Sequence, residues 1–400
     1  MIQTRWGIVS LVVAGGVLAT MQIGKAPPAL LLIRDDFGIG MVTAGWVASI
    51  ITLTGALVGF ATGIISDVVG PRRIVLIGLV CLIAGSIGGG LSPTVNVLLA
   101  MRFLEGIGYM AVIVAGTPLI VSACAGRDMD LAMGLWSAYF PAGIGIMIAL
   151  SPVFLEFYDW RDMWFANAVL MVLFLLVFAR VTARDSVADG PARERQTLRD
   201  VTVTLSKAGP WLLALSFMML SIGAFSLMTW LPTYLIESLG RSPTSAAIYT
   251  AIFAILFIPP NVVSGWILKW PAVKRWYLIA LGALGLGILP MGIMGEGLSE
   301  STRIISAIAF TQIAGLIPGA VFAGVPAHAP SEKQIGAVTG VLLQGNSIGV
   351  LIGPPLIAGL VIALGGWAHA SWVMLIVGGI AMAAAIGIKI VEDRIAGSAP

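Results

Sequence analysis

Twelve apolar stretches, most of them long enough to bridge a bilayer, follow one another along this 400-residue chain with short polar breaks between them. A hydrocarbon core is ~30 Å thick, and a helix needs ~20 apolar residues to cross it. The stretches lie near 6–33, 41–66, 73–92, 95–125, 131–155, 162–182, 208–236, 244–269, 275–295, 302–327, 336–364 and 367–391. Strands of an outer-membrane barrel would be ~10 residues long and would alternate in polarity, and these stretches do neither. Only 10% of residues are charged, against about 25% in a soluble domain. The expectation is an all-α membrane protein with twelve transmembrane helices and the lipid bilayer as its solvent.

Several function classes fall away on composition. The net charge of +3 is spread over helix ends and builds no nucleic-acid-binding face. Cys81 and Cys124 sit in or beside apolar runs, with no metal-ligand spacing and no disulfide framework. Neither a cofactor nor a metal is expected. The first run, from Trp6 to Ile33, is too long for the core of a cleaved signal peptide. No HExxH, G-x-S-x-G or phosphate-binding loop is present, which argues against a membrane enzyme or sensor.

Lys and Arg placement sets the orientation. Sixteen of the 22 basic residues fall on the N-terminal side of the spans and four on the other, with Lys25 and Arg102 inside the spans. The positive-inside rule then predicts both termini in the cytoplasm of a cell (inner) membrane protein. One long polar segment holds Arg184, Arg193, Arg195, Arg199 and Lys207. It suggests a division into an N-terminal six-helix bundle (1–183), a cytoplasmic linker (184–207) and a C-terminal six-helix bundle (208–400). The halves read as a repeat: Gly63 and Asp67 pair with Gly265 and Lys269, Pro28 with Pro232, and Trp160 with Trp367, at nearly one offset.

Between the second and third runs stands Gly63-Ile-Ile-Ser-Asp67-Val-Val-Gly70-Pro71-Arg72-Arg73. Glycines allow close approach and a turn, the acid can face the positive end of a helix, and the arginines face the cytoplasm. This loop resembles the one between helices 2 and 3 of the major facilitator superfamily (MFS), and the likeness extends over essentially the whole chain. The resemblance implies two pseudo-symmetric six-helix bundles with substrate held near the midplane. It also implies a cytoplasmic latch made by Gly63, Asp67, Gly70, Arg72 and Arg73. The second copy, Gly265-Trp-Ile-Leu-Lys269, carries a lysine in place of the acid, so the latch is expected on one side only.

Lys25 lies nine residues before Arg34, or ~13 Å inside the end of its span. A cation at that depth needs a partner or a cavity. The adjoining Pro27 and Pro28 remove backbone donors and should bend the helix. Arg102 and Glu105, three apart, share a face of the fourth span. Arg102-Phe-Leu-Glu105-Gly106-Ile-Gly108 resembles the helix-4 motif that the superfamily links to proton coupling, which makes Glu105 the candidate proton carrier. Burial and the two cations pull its proton affinity in opposite directions. A structural Arg102–Glu105 pair is the alternative.

The C-terminal half holds no fully embedded charge. Trp230, opposite Lys25 by the repeat, and Gln312, Gln344 and Asn346 are the polar candidates for substrate contact. Pro141 and Gly143 make the fifth span pliable. His328, between Pro326 and Pro330, reads as a loop histidine.

The segments Ile23-Gly24-Lys25-Ala26-Pro27-Pro28-Ala29, Ala44-Gly45-Trp46 and Leu135-Trp136-Ser137 are similar to the cyanate permease branch of the superfamily. That resemblance implies a monomeric, proton-coupled secondary active transporter, a symporter, for small anions or small polar organics. Lys25 and Arg102 agree with an anion by charge. The alternative is a proton-driven drug or metabolite exporter.

Overall fold

The computed structural model describes residues 3–183 and 198–397. Arg184, Arg193 and Arg195 of the expected linker lie outside the described residues. Described residues form eighteen α-helices and no strand. In lipid every backbone N–H and C=O must be satisfied within the segment, which an uninterrupted apolar helix does by itself.

The helices are α1 (Trp6–Gly24), α2 (Ala26–Phe37), α3 (Met41–Val69), α4 (Pro71–Gly90), α5 (Val95–Ala123), α6 (Met129–Ser137), α7 (Tyr139–Phe157), α8 (Trp160–Ala183) and α9 (Leu198–Ser206). They continue with α10 (Ala208–Glu237), α11 (Pro243–Ile255), α12 (Ile258–Ile267), α13 (Arg275–Met294), α14 (Glu300–Ala314), α15 (Leu316–His328), α16 (Ile335–Leu364), α17 (Trp367–Ser371) and α18 (Val373–Gly397). Among the described residues they give twelve segments long and apolar enough to cross a membrane.

Four of the twelve are interrupted by a common cause. A proline has no N–H for the carbonyl four residues back, and its ring crowds that carbonyl. Helix α1 ends at Gly24, four before Pro28, and α6 ends at Ser137, four before Pro141. Helix α11 ends at Ile255, four before Pro259, and α14 ends at Ala314, four before Pro318. Pro118, Pro232, Pro290 and the pair Pro354 and Pro355 are carried inside helices without such a stop.

Packing divides the chain into two compact units. Unit 1 is Met1–Gly126, Tyr139–Thr204 and Ala329–Gln344; unit 2 is Arg127–Ala138, Leu205–His328 and Gly345–Pro400. The units change over at residues 204–205, and two further segments depart from a simple division into halves. Helix α6 groups with unit 2 although α7 groups with unit 1, and α16 starts in unit 1 and finishes in unit 2. Sequence marks where the connection is, whereas packing follows the ends of long helices.

Within unit 1, α4 and α5 lie close enough that a Cβ on Gly108 would stand 2.6 Å from the Gly78 carbonyl oxygen. Real Cβ atoms do not approach that closely, so the seam requires glycine. It draws the polar face of α5 against α4 and sets the geometry described next.

Candidate functional site

Lys25 occupies the one-residue gap between α1 and α2 and is fully buried in unit 1. Its Nζ donates to Gln22 Oε1, Ser86 Oγ and Glu105 Oε1, each at 2.6 Å. An ammonium has three donors, so all three are committed. The Trp164 ring lies 4.6 Å from Nζ and adds a cation–π contact.

Glu105 is equally buried and is held by both cations. Its Oε1 accepts from Lys25 and from Ser86 Oγ at 2.8 Å; its Oε2 accepts from Arg102 Nη1 at 2.6 Å. Arg102 also donates from Nη1 to the Gln22 carbonyl at 2.6 Å and from Nε to the Val47 carbonyl at 3.0 Å. Its Nη2 is buried with no hydrogen-bond partner. Gln22 Nε2 reaches Asn167 Oδ1 at 3.2 Å, and Asn167 is anchored to the Met163 carbonyl at 2.9 Å. With all three ionisable groups charged, the cluster carries one surplus positive charge inside an apolar bundle.

The structure therefore brings Lys25, Arg102 and Glu105 into one network. It also adds Gln22, Ser86, Trp164 and Asn167, which the sequence reading did not place there. Gln22 was the most findable: it is a polar residue in an apolar run, three before Lys25 and so on the same helix face. Ser86 is brought in by the α4–α5 seam, which no local pattern announces.

None of the other substrate candidates bonds into this network. In unit 2, Trp230 Nε1 donates to the Pro354 carbonyl at 2.9 Å and its ring packs on Trp367. Gln312 Nε2 bonds to the Leu256 carbonyl at 2.8 Å, and Asn346 Oδ1 accepts from Ser221 Oγ at 2.5 Å. In unit 1, Gln344 Nε2 donates to the Ala56 carbonyl at 3.0 Å. Three of these bonds join two helices, and that of Gln312 reaches the break between α11 and α12. Pro27 and Pro28 open α2 just past the break, and Pro141 lies in the first turn of α7. Gly143 backs onto α1, where a Cβ would meet the Val17 carbonyl at 2.5 Å.

The Gly63–Arg73 loop also lies in unit 1. Asp67 is buried and accepts from the Gly336 N–H at 2.9 Å and the Ala337 N–H at 2.7 Å. Those are first-turn donors of α16, left free by helix geometry, and the dipole there favours an anion. Gly63 backs directly onto the Gly336 carbonyl, with no room for a Cβ. Gly70, at φ +99°, makes the turn between α3 and α4 in a backbone region that side-chain-bearing residues avoid. Arg72 bonds to Thr182 Oγ1 at 3.0 Å and to the Ala179 carbonyl at 3.4 Å, at the C-terminal end of α8. Arg73 is exposed.

In the second copy of this loop, Lys269 Nζ lies 3.5 Å from Asp128 Oδ1 in unit 2. An ion pair stands where the first copy has a carboxylate on a helix end. One expectation is corrected: His328 is not a loop residue. Helix α15 runs through Pro326 to His328, whose buried ring has Nε2 3.2 Å from Glu392 Oε1, a carboxylate that also takes Arg275 at 2.6 Å.

Comparison with known proteins settles the class. The Major Facilitator Superfamily model matches residues 12–341, and the chain belongs to that family. The human organic anion transporter MFSD10 superposes with a TM-score of 0.76 at 16% identity, over 94% of this chain and 98% of that one. The lincomycin resistance protein of Streptomyces lincolnensis is 27% identical over 185 residues, 46% of this chain and 38% of that protein. The cyanate transport protein CynX of Escherichia coli is 26% identical over 213 residues, 52% of this chain and 53% of that protein. The chain spans about half or less of the length of these two sequence relatives. The chain is thus a multi-pass membrane protein of a transporter family.

Proposed function

We propose that this chain is a proton-coupled secondary active transporter of small monovalent anions. The observation that carries the reading is the buried Lys25–Glu105–Arg102 network with its surplus positive charge and the unpartnered Nη2 of Arg102. A buried unpaired charge is strongly unfavourable, and an incoming anion is a natural counter-charge. Every donor of Lys25 is occupied, so an anion reaches Lys25 by displacing Gln22, Ser86 or Glu105, and releasing Glu105 frees the most charge. A proton on Glu105 does that: it cancels the charge that holds both cations and frees them for the anion.

The occupied donors, not the charge count, pair the two events. An anion alone brings the network to zero, a proton alone to +2, and both together leave it at +1. One proton per monovalent anion therefore loads the site without changing the charge buried there, and net transport is electroneutral. Pro27 and Pro28 serve as the bend that opens the sealed cluster. Asp67, with Gly63, Gly70, Arg72 and Arg73, holds α16 through one phase of the cycle. The likeness to the cyanate transport protein supports a small anion.

The test is uptake of radiolabelled cyanate and nitrate into proteoliposomes under an imposed pH gradient. Wild-type protein should accumulate one of these anions, indifferent to membrane potential, and Lys25→Met should abolish it with normal expression. Gradient-driven uptake that survives Lys25→Met overturns the reading. Similarity to the lincomycin resistance protein supports a second one, proton-driven export of a drug or metabolite. That reading predicts that expression lowers cellular drug accumulation and that Lys25→Met leaves this intact.

A further inference from the structure

Unit 2 contains a cavity of ≈ 290 Å³ between α10, α11 and α14, well away in sequence from the charged network. Its wall is almost wholly apolar, with Leu235, Ile252, Phe253, Ile304 and Ile308 among the lining residues. Ile252, Ile304 and Ile308 are each 40–49% exposed, so the cavity opens sideways through the apolar surface of the spans. Charge is confined to one end. Arg241 and Glu300 pair there, and Arg303 is clamped by the Tyr234 hydroxyl and the carbonyls of Ile293 and Gly295. Arg241, Glu300 and Arg303 all line the cavity.

The two ends are related by helix geometry. Arg241 lies between the seventh and eighth spans, and Glu300 opens the tenth, so both mark the membrane edge opposite the N-terminus. Ile304 and Ile308 are one and two turns further into α14, or ~6 and ~12 Å deeper. The result is a slot parallel to the membrane normal, apolar at depth, open to hydrocarbon at its side and basic at its mouth. Two arginines against one carboxylate leave one positive charge at that mouth. Arg241 spends one of its five donors on Glu300 and is partly exposed. Guanidinium is matched in shape and charge to phosphate.

We propose that this slot binds one acyl chain of an anionic phospholipid from the leaflet opposite the termini, with the lipid phosphate on Arg241. A free fatty acid would supply the chain without the phosphate, and a soluble phosphate ester the reverse. The slot needs both ends filled by one molecule. Lipid bound there would brace the outer ends of α10, α11 and α14 against each other independently of whatever the chain transports.

Native mass spectrometry of the full chain, delipidated in detergent and titrated with palmitoyl-oleoyl phosphatidylglycerol, tests this. Phosphatidylcholine, palmitate and glycerol phosphate form the comparison arms. One phosphatidylglycerol should be retained at activation energies that strip further lipids. Ile308→Trp, which fills the slot, should abolish that adduct. Arg241→Ala, at a partly exposed site, should weaken it about tenfold. Ile376→Trp, on the exposed face of α18, should leave it unchanged. Equal retention in wild type and Ile308→Trp overturns the site. Equal binding of phosphatidylcholine overturns the preference for an anionic headgroup, and equal binding of palmitate, or an unweakened Arg241→Ala, overturns the phosphate contact. A thermal melt of each variant separates lost lipid from lost fold.

Discussion

The interiors of the two units are built on similar helices and filled with different chemistry. Unit 1 buries two cations, a carboxylate and the amides and hydroxyl that hold them. The interior polar bonds of unit 2 described above are neutral: Ser221 to Asn346, Trp230 to Pro354, Gln312 to Leu256. Its ion pairs, Arg241–Glu300, Arg275–Glu392 and Lys269–Asp128, sit at span ends. Neutral bonds can be lost one at a time at modest cost. A charged triad cannot, because removing one member strands the others. The same contrast recurs at the loops. Asp67 is buried against two backbone donors, whereas Lys269 faces Asp128 from a partly exposed position.

The sharpest way to break this comparison is Glu105→Gln. It leaves Lys25 and Arg102 buried beside each other without a counter-charge, and should lower stability by ~3–5 kcal/mol, read from denaturant or thermal unfolding in detergent. Adding Lys25→Met should recover part of the loss, since one charge then remains where two did; strictly additive losses would mean the three groups do not act as a unit. Next in size is Asp67→Asn. It removes the charge from two backbone hydrogen bonds and should cost ~1–2 kcal/mol, with faster hydrogen exchange at the Gly336 and Ala337 amides. Unchanged exchange there would place the anchoring of α16 elsewhere. Asn346→Ala breaks one neutral bond and should cost about 1 kcal/mol by the same melt. Lys269→Met should be the mildest, under ~1 kcal/mol, because its partner is 3.5 Å away and the side chain is 29% exposed. A Lys269→Met loss equal to that of Asp67→Asn would erase the asymmetry between the two loops.

Much of this was legible in the sequence because membranes constrain it so tightly. Apolar runs of the right length give the spans, and Lys25, Arg102 and Glu105 stand out because charge is rare there. Their convergence was only partly legible. Arg102 and Glu105 share a helix face by spacing, but Lys25 meets them through the glycine seam of α4 and α5, which is a tertiary fact. The breaks at Ser137, Ile255 and Ala314 were written in Pro141, Pro259 and Pro318, yet Pro118 and Pro232 carry the same signal and stop nothing. Whether a helix yields at proline depends on what neighbouring helices offer the freed carbonyl. The Asp128 partner of Lys269 was hidden for a similar reason: it comes from a distant turn.

The break at Lys25 has one more consequence. Pro27 and Pro28 have no N–H to give to the carbonyls of Ile23 and Gly24, and the neighbouring carbonyl of Gln22 receives Arg102. The negative end of the α1 dipole, equivalent to roughly half an elementary charge, thus sits beside two buried cations. It is a counter-charge made of peptide bonds and indifferent to pH, which leaves Glu105 as the part of the balance that the proposed proton would switch.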